Sequence, residues 1–389
     1  MPAETPLQPL IAGYDGVVCD LDGIVYRGGE AVPGAARSLQ QLVDGGVRVV
    51  YATNNASRVP AEVARQLAAL GAPATESDVV SSAQAGAARL AADLPAGTRV
   101  LALGGPGVTE ALSRAGLVPV RPADALAEDP PAGGASSQEV VAPDDVSAVL
   151  QGFGSNVTVA DFETAARMLT QGVQWVATND DATLPLPWGQ SPGNGAYVDL
   201  LAAATGRRPD VVGKPHPPLY RLALDRLATS ATRTLAVGDR LGTDIAGAHA
   251  AGLDSAWVLT GVDGPSDLLD TDATPTFVVA SLAELQRPYA VPQREALGWR
   301  CGGASVTYSD EQLVIGHEGG DRMEVVRAGL AALVEAREAG IDTDQLRHAA
   351  RVLDRIIEDR SEDGRDGSGD GSGDTPAADV PDEEPASNR

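Results

Sequence analysis

Gly16-Val17-Val18-Cys19-Asp20-Leu21-Asp22-Gly23 decides how this chain reads. The first four residues form a short apolar run of the kind buried on both faces of a parallel sheet, and two carboxylates follow at its end, two residues apart. One such Asp can attack phosphorus while the other handles protons and a metal sits between them, so the pair suits phosphoryl transfer. Cys19, inside the run, reads as a packing residue. An isolated Asp-x-Asp is common, and its surroundings must give it weight.

Outward from this stretch, strand and helix patterns alternate. Pro33 opens a helix with Ala35, Leu39, Leu42 and Val43 on one face, and Gly45-Gly46 stops it. Val47 to Ala52 reads as the next strand, followed by Thr53-Asn54-Asn55, and a further helix runs from about Pro60 to Leu70. The pattern returns late in the chain, where the strand Thr234 to Val237 leads into Gly238-Asp239-Arg240 and a helix from Thr243 to Ala251. Strand, helix, strand with short loops means right-handed crossovers, hence an α/β fold with a Rossmann-like doubly wound parallel sheet. Ligands of such sheets bind beyond the carboxyl ends of the strands. Asp20, Thr53 and Asp239 each follow a strand directly and are expected to converge on one edge.

The two halves of this core, residues 11–83 and 209–285, enclose an insertion, residues 84–208, with a strand and helix pattern of its own that begins near Val100-Leu101-Ala102-Leu103. It reads as an α/β cap, a natural lid, with Glu128 to Asp144 as a Pro/Gly/Ser-rich surface loop. After about Pro288, Trp299-Arg300-Cys301, Ala304 to Tyr308 and Leu313-Val314-Ile315 suggest a short meander of strands. Helices from about Met323 to Ala339 and from Thr343 to Glu358 complete a small α+β module over 290–360. Residues 361–389 hold nine Asp and Glu against two Arg in a Gly/Ser/Pro-rich stretch, expected to be a disordered acidic tail.

Composition excludes several function classes. The 389 residues carry a net charge of −25, which repels duplex nucleic acid and anionic membranes. Neither a signal-type apolar segment at the start nor a bilayer-long apolar span is visible, so the cytoplasm is the expected location and membrane insertion is not expected. Cys19 and Cys301 lack metal-ligand spacing and read as free thiols of a reduced compartment.

Four motifs share the predicted face. In order they are Asp20-x-Asp22-Gly23, Thr53-Asn54-Asn55, Gly213-Lys214-Pro215 and Gly238-Asp239-Arg240-Leu241-Gly242-Thr243-Asp244. Each alone has an ordinary reading: Thr-Asn-Asn as a turn or helix cap, Lys214 as a loop lysine, Asp239 and Asp244 as a cap and a surface acid. Together, over residues 11–285, they resemble the haloacid-dehalogenase-like hydrolase superfamily. The Thr-Asn-Asn form and the large insertion after it resemble the α/β-capped subfamily that contains nitrophenylphosphatase-like, phosphoglycolate, glycerol-phosphate, pyridoxal and nucleotide phosphatases.

That resemblance implies an Mg²⁺-dependent phosphatase. Asp20 and Asp239 would supply carboxylate oxygens and Asp22 its carbonyl to the metal, with Asp244 supporting them. Asp20 would be the nucleophile that forms an aspartyl-phosphate, and Asp22 the general acid and base. Thr53, Asn54 and Asn55 would donate hydrogen bonds to phosphate oxygens, and Lys214 would be a point charge for the phosphate and for Asp20. The carboxylate at position 22 argues for rapid turnover by water, since members resembling dehalogenases lack it and those resembling cation pumps carry Thr there. His216 and His249 have no role in this mechanism and read as structural or solvent-facing.

Substrate information is expected in the cap. Trp175 to Asp181 and Leu184-Pro185-Leu186-Pro187-Trp188 read as a strand leading into a rigid loop, and a helix from Tyr197 to Ala204 follows. By resemblance this stretch approaches the leaving group, which makes Asn179, Asp180 and Leu184 candidates against the plain reading of a structural loop. No aromatic platform for a nucleobase is evident, so a small phosphorylated metabolite is the expected partner, and a homodimer through the cap is a further expectation.

The C-terminal module resembles the truncated acetyltransferase-like extension of some actinobacterial members, which makes glycerol 3-phosphate the leading substrate. Phosphoglycolate, pyridoxal phosphate and broad nitrophenyl-type activity are the alternatives. Gly316-His317-Glu318-Gly319-Gly320 only faintly echoes a coenzyme A loop, and a regulatory or acyl-CoA-binding protein is the reading from another class.

Overall fold

The strand Gly16–Cys19 is buried along its whole length at the centre of a six-stranded, all-parallel sheet. In the computed structural model, which describes residues 8–125, 145–186, 188–317 and 321–363, the sheet order is Phe277–Val279, Asp254–Val258, Thr234–Gly238, Gly16–Cys19, Arg48–Thr53 and Val79–Ser81. From Gly16–Cys19 the chain moves to Arg48–Thr53 on one side and returns at Thr234–Gly238 on the other, so the strand order reverses at Asp20. Open parallel sheets bind ligands at such a reversal. Cys19 pairs in register with both Val237 and Tyr51, which brings Asp20, Asp239 and Thr53 to one edge as expected.

The flanking helices follow from spacing, with shifts at their starts. Ala35–Asp44 begins after Gly34, whose φ of 77° turns the chain, and buries Ala35, Ser38, Leu39 and Leu42 as one stripe. The helix expected from Thr243 starts earlier and wider, because Leu241–Ile245 forms a π turn and only Ala246–Ala250 is α-helical. Arg240 O accepts from Asp244 N at 2.9 Å and from Ile245 N at 3.2 Å, the second bond holding one residue more per turn. Asp244 Oδ2 also accepts the Arg240 N–H at 3.1 Å, a side-chain bond that competes with regular helix.

The insertion forms a second parallel sheet, ordered Asp210–Val211, Gln174–Ala177, Val146–Gln151, Arg99–Leu103 and Val118–Val120. Asp210–Val211 was expected in the second half of the core, yet it pairs with Val176 and Ala177 of the cap. A two-residue strand has no periodicity that could reveal its sheet. The stretch expected as a rigid loop at Leu184 is a hairpin, Thr183–Leu186 against Gly189–Pro192. Prolines fit there because both strands of a two-stranded ribbon are edges. The next helix, Asn194–Thr205, starts three residues before Tyr197. The Glu128 to Asp144 segment lies outside the described residues.

Helix Ser82–Asp93 joins the two sheets. Ser81 accepts the Gln84 N–H and Gln84 Oε1 accepts the Ser81 N–H, a reciprocal cap that fixes its start. Its Ala83, Ala85, Ala87 and Leu90 lie in one apolar cluster with Val18, Val50 and Ala236 of the core and Val100, Leu150 and Val176 of the cap. A β-carbon at Gly86 would lie 2.6 Å from Leu150 Cδ1, so the small residue sets how closely the sheets approach.

The C-terminal module is an antiparallel meander, Gln293–Glu295, Gly298–Cys301, Ala304–Ser309 and Gln312–His317, followed by helices Arg322–Glu338 and Thr343–Asp363. The meander has one strand more than expected. The last helix runs three residues into the stretch expected as a tail, and residues 364–389 lie outside the described residues. Gly316 and His317 complete a strand, while 318–320 lie outside the described residues. The module packs on the Phe277–Val279 side of the core, where Arg327 donates to Glu284 at 2.8 Å and to Val278 O at 2.9 Å and stacks 4.2 Å over Tyr289. Cys19 and Cys301 are both buried free thiols. Among the described residues no helix is long and apolar enough to cross a membrane.

Candidate active site

Beyond the strand ends, the chain folds so that acidic groups must crowd together. Asp20 N donates to Val237 O at 2.8 Å, extending the ladder by one residue and setting Asp20 beside the Gly238-Asp239 turn. After Leu21 the backbone turns at Gly23, with φ 78°, and Gly23 O accepts from Thr260 Oγ1 at 2.7 Å. A β-carbon at Gly23 would lie 2.3 Å from Asp239 Oδ2, so only glycine allows both the turn and the approach. Asp239 is held from behind, since Trp257 Nε1 donates to its carbonyl at 3.0 Å and Val262 N to its carboxylate at 3.0 Å.

Asp20, Asp239 and Asp244 each offer a carboxylate oxygen within 4.8 Å of the others. Asp239 and Asp244 are buried and Asp20 is nearly so. Lys214 answers part of this charge. Its Nζ, also buried, donates to Asp20 Oδ1 and to Ala52 O at 3.2 Å and lies 2.7 Å from Asp244 Oδ1. Three carboxylates against one ammonium leave the cluster under-compensated. Burial pushes Asp20 well above the ordinary carboxylate range, Lys214 opposes this, and Asp244 and Asp239 add to it. Burial and Asp244 raise Asp239 to about 6. Burial works against the Lys214 charge, but Asp20 and Asp244 outweigh it and hold the ammonium firmly protonated. The missing positive charge and the all-oxygen donor set both fit a hard divalent cation.

The remaining expected residues divide. Asp22 is solvent-exposed, although the desolvating walls of the cleft still raise its carboxyl. Thr53 is buried and accepts from Asn55 N at 3.1 Å, which leaves its hydroxyl hydrogen for a ligand. Asn55 Oδ1 accepts from Ser57 N and Ser57 Oγ at 2.9 and 2.8 Å, so only its amide nitrogen could serve a phosphate.

Asn54 departs from its expected role as a phosphate donor. Its Oδ1 accepts from Lys214 N at 2.7 Å, and its Nδ2 donates to Lys214 O at 2.9 Å and to Asp181 Oδ2 at 3.1 Å. Every polar position of that amide is engaged. Asn179 differs from expectation in the same way, because its amide donates to Asn54 O at 2.7 Å and ties the cap to the core. Asp180 is exposed, 3.4 Å from His216 Nε2, and Leu184 stands in the hairpin opposite Ser191. His249 is exposed, as expected. The residue that sequence reasoning passed over is Asp181, partly buried on Asn54, and its only signal was the unusual pairing of two acids after Asn179.

Family models for haloacid dehalogenase-like hydrolases and HAD-hydrolase-like proteins match residues 17–118 and 211–285. Over 349 residues the chain is 39% identical to a D-glycerol 3-phosphate phosphatase of Mycobacterium tuberculosis, covering 88% of this chain and 92% of that one. This protein belongs to the haloacid dehalogenase-like hydrolases. An acid sugar phosphatase of Staphylococcus saprophyticus, another relative, is 32% identical over 272 residues, 70% of this chain and 96% of its own. Among solved structures, the glycerol phosphate phosphatase of Mycobacterium tuberculosis in complex with magnesium superposes with a TM-score of 0.70 at 35% identity, covering 84% of this chain and 92% of that one. The dehalogenase-like fold is therefore carried by both sheets, and the mycobacterial alignment is longer than core and cap together.

Proposed function

We propose that this hydrolase is an Mg²⁺-dependent phosphatase of small phosphate monoesters, with glycerol 3-phosphate as its leading substrate. The observation that carries the chemistry is the buried cluster of Asp20, Asp239 and Asp244 around Lys214, at the point where strand order reverses. The substrate is supported by the mycobacterial relative, whose alignment runs beyond the cap and core, whereas the acid sugar phosphatase alignment covers 70% of the chain.

Asp20 and Asp239, with Asp244 in support and the Asp22 carbonyl beside them, would hold the metal, which when bound supplies the positive charge that a phosphate dianion and a carboxylate need in order to approach each other. Lys214 fixes Asp20 Oδ1 and keeps that carboxylate aimed along the sheet edge. Asp20 Oδ attacks phosphorus, forming an acyl-phosphate bond as the ester P–O bond breaks, and Asp22 gives its proton to the departing alkoxide. Water then attacks the same phosphorus and Asp22 takes one of its protons. The Asp20–phosphorus bond breaks, releasing inorganic phosphate and restoring both side chains. Thr53 donates its hydroxyl hydrogen to a phosphate oxygen throughout. Exposure of Asp22 suits a group that exchanges its proton with water between the two half-reactions.

Phosphate release from glycerol 3-phosphate, phosphoglycolate, pyridoxal phosphate and p-nitrophenyl phosphate, with and without Mg²⁺, tests this. A clear preference for glycerol 3-phosphate that vanishes on chelation is expected. A flat profile would count against that substrate, and metal-independent turnover would sink the metal assignment.

A further inference from the structure

We propose that Asn54 is a positioning residue through which Asp181 of the cap sets the place of Lys214, so that the cap controls the ammonium without touching it. The proposal rests on the phosphatase reading of the site. Its basis is the geometry of one side chain. Asn54 meets Lys214 as one peptide meets another in a sheet, taking its N–H at 2.7 Å and giving to its carbonyl at 2.9 Å. This bond pair spans 160 residues of sequence and fixes the backbone from which the lysine side chain departs. The second amide hydrogen goes to the Asp181 carboxylate, 3.1 and 3.3 Å away, a charge-assisted bond that anchors the amide from the cap side.

The Lys214 main chain selects which way the Asn54 amide faces, because an inverted amide would set oxygen against the Lys214 carbonyl and hydrogen against its N–H. Asp181, on the second amide hydrogen, braces the side chain from the cap side and keeps it seated on that main chain. Asp181 thus holds the amide in place, and Asn54 transmits that hold to the lysine's main chain. Two further contacts keep Asp181 in range. Asn179 Nδ2 donates to Asn54 O at 2.7 Å, and Asn179 Oδ1 accepts from Asp181 N at 3.3 Å. A β-carbon at Gly213 would lie 2.4 Å from Thr178 O and 2.7 Å from Asn54 Oδ1, so the lysine loop is pressed directly onto this strap. At the far end Lys214 Nζ meets Asp20 and Asp244, and a shift of its backbone moves the attacking carboxylate's partner.

Kinetics on p-nitrophenyl phosphate at saturating Mg²⁺ test the chain of contacts. Asn54→Ala is expected to lower kcat on the order of 10²-fold, the scale of an ångström-sized misplacement, with a smaller change in KM. Asp181→Ala is expected to lower kcat roughly tenfold, and Asp181→Asn, which keeps an acceptor, to recover most of the loss. In a Lys214→Ala background, Asn54→Ala should cost nothing more, because groups acting in series are not additive. Multiplicative losses in that background, or wild-type kcat in Asn54→Ala and Asp181→Ala with only Tm lowered, would overturn the proposal. A rise in KM alone for Asp181→Ala would also overturn it, by making Asp181 a substrate contact. Calorimetric binding of orthovanadate gives a second readout free of turnover: Asn54→Ala should weaken it, and Asn54→Ala with Lys214→Ala no more than Lys214→Ala alone. A wild-type chain that binds orthovanadate but hydrolyses no ester would sink the phosphatase reading while the vanadate comparison still decides the coupling.

Discussion

The cap and the C-terminal module are both built onto the same six-stranded sheet, but they support its acidic edge by different forces. From the cap come directional bonds: Asn179 and Asp181 reach Asn54 and, through it, the main chain of Lys214. From the C-terminal module comes apolar bulk. Val325, Val326 and Leu333 share a cluster with Leu241, Ile245 and Trp257, and Trp257 holds the Asp239 carbonyl. Hydrogen bonds weaken steeply as they bend, whereas apolar burial has no direction and scales with area. A disturbance in the cap should therefore appear first in turnover, and one in the module first in stability.

The largest expected effect concerns what both attachments serve. Asp20→Asn should lower phosphate release on the order of 10⁴-fold or more with the fold intact by circular dichroism. Hydrolysis surviving in that variant, with deamidation excluded, would remove the nucleophile from the site and the comparison with it. Arg327→Ala comes next. It takes the guanidinium from a buried pair with Glu284 and from its stack on Tyr289, which should cost about 3–5 kcal/mol in urea unfolding while the folded enzyme keeps its kcat. A parallel fall in kcat would break the division between the two units.

Smaller effects sharpen the contrast. At about 100 times its dissociation constant, Mg²⁺ should stabilise the chain by about 2.7 kcal/mol, read as a rise in Tm. Asp239→Asn should erase most of that rise and Asp181→Ala little of it; the opposite pattern would place the metal on the cap side. Gly86→Val, which forces bulk between the two sheets against Leu150, should cost about 1–3 kcal/mol by the same unfolding measurement. An unchanged midpoint would show that the cap slides on the core rather than sharing its interior.

What could be read from sequence was whatever short-range pattern determines. Apolar runs ending in Asp20, Thr53 and Asp239 had to be buried strands, and parallel strands bring their carboxyl ends to one edge whatever the loops do. Asn54 was legible as a site residue but not in its partners, because its bonds reach Asp181 and Lys214, 127 and 160 residues away. Asn179 shared that fate. Leu184-Pro185-Leu186 hid a strand behind proline, and Asp210–Val211 was too short to show its side. The Leu241–Ile245 turn looked like ordinary helix because its extra residue per turn is decided by the side chain of Asp244.

That wide turn makes the chain unequally tolerant of change. Gly242 is exposed, with open space where a β-carbon would go, so a side chain added there should be accepted. Removing the residue altogether is another matter, since the turn would tighten and Asp244 would swing by roughly 100° about the axis, away from Lys214. Length, more than composition, is what natural variation must preserve between Arg240 and Ala246.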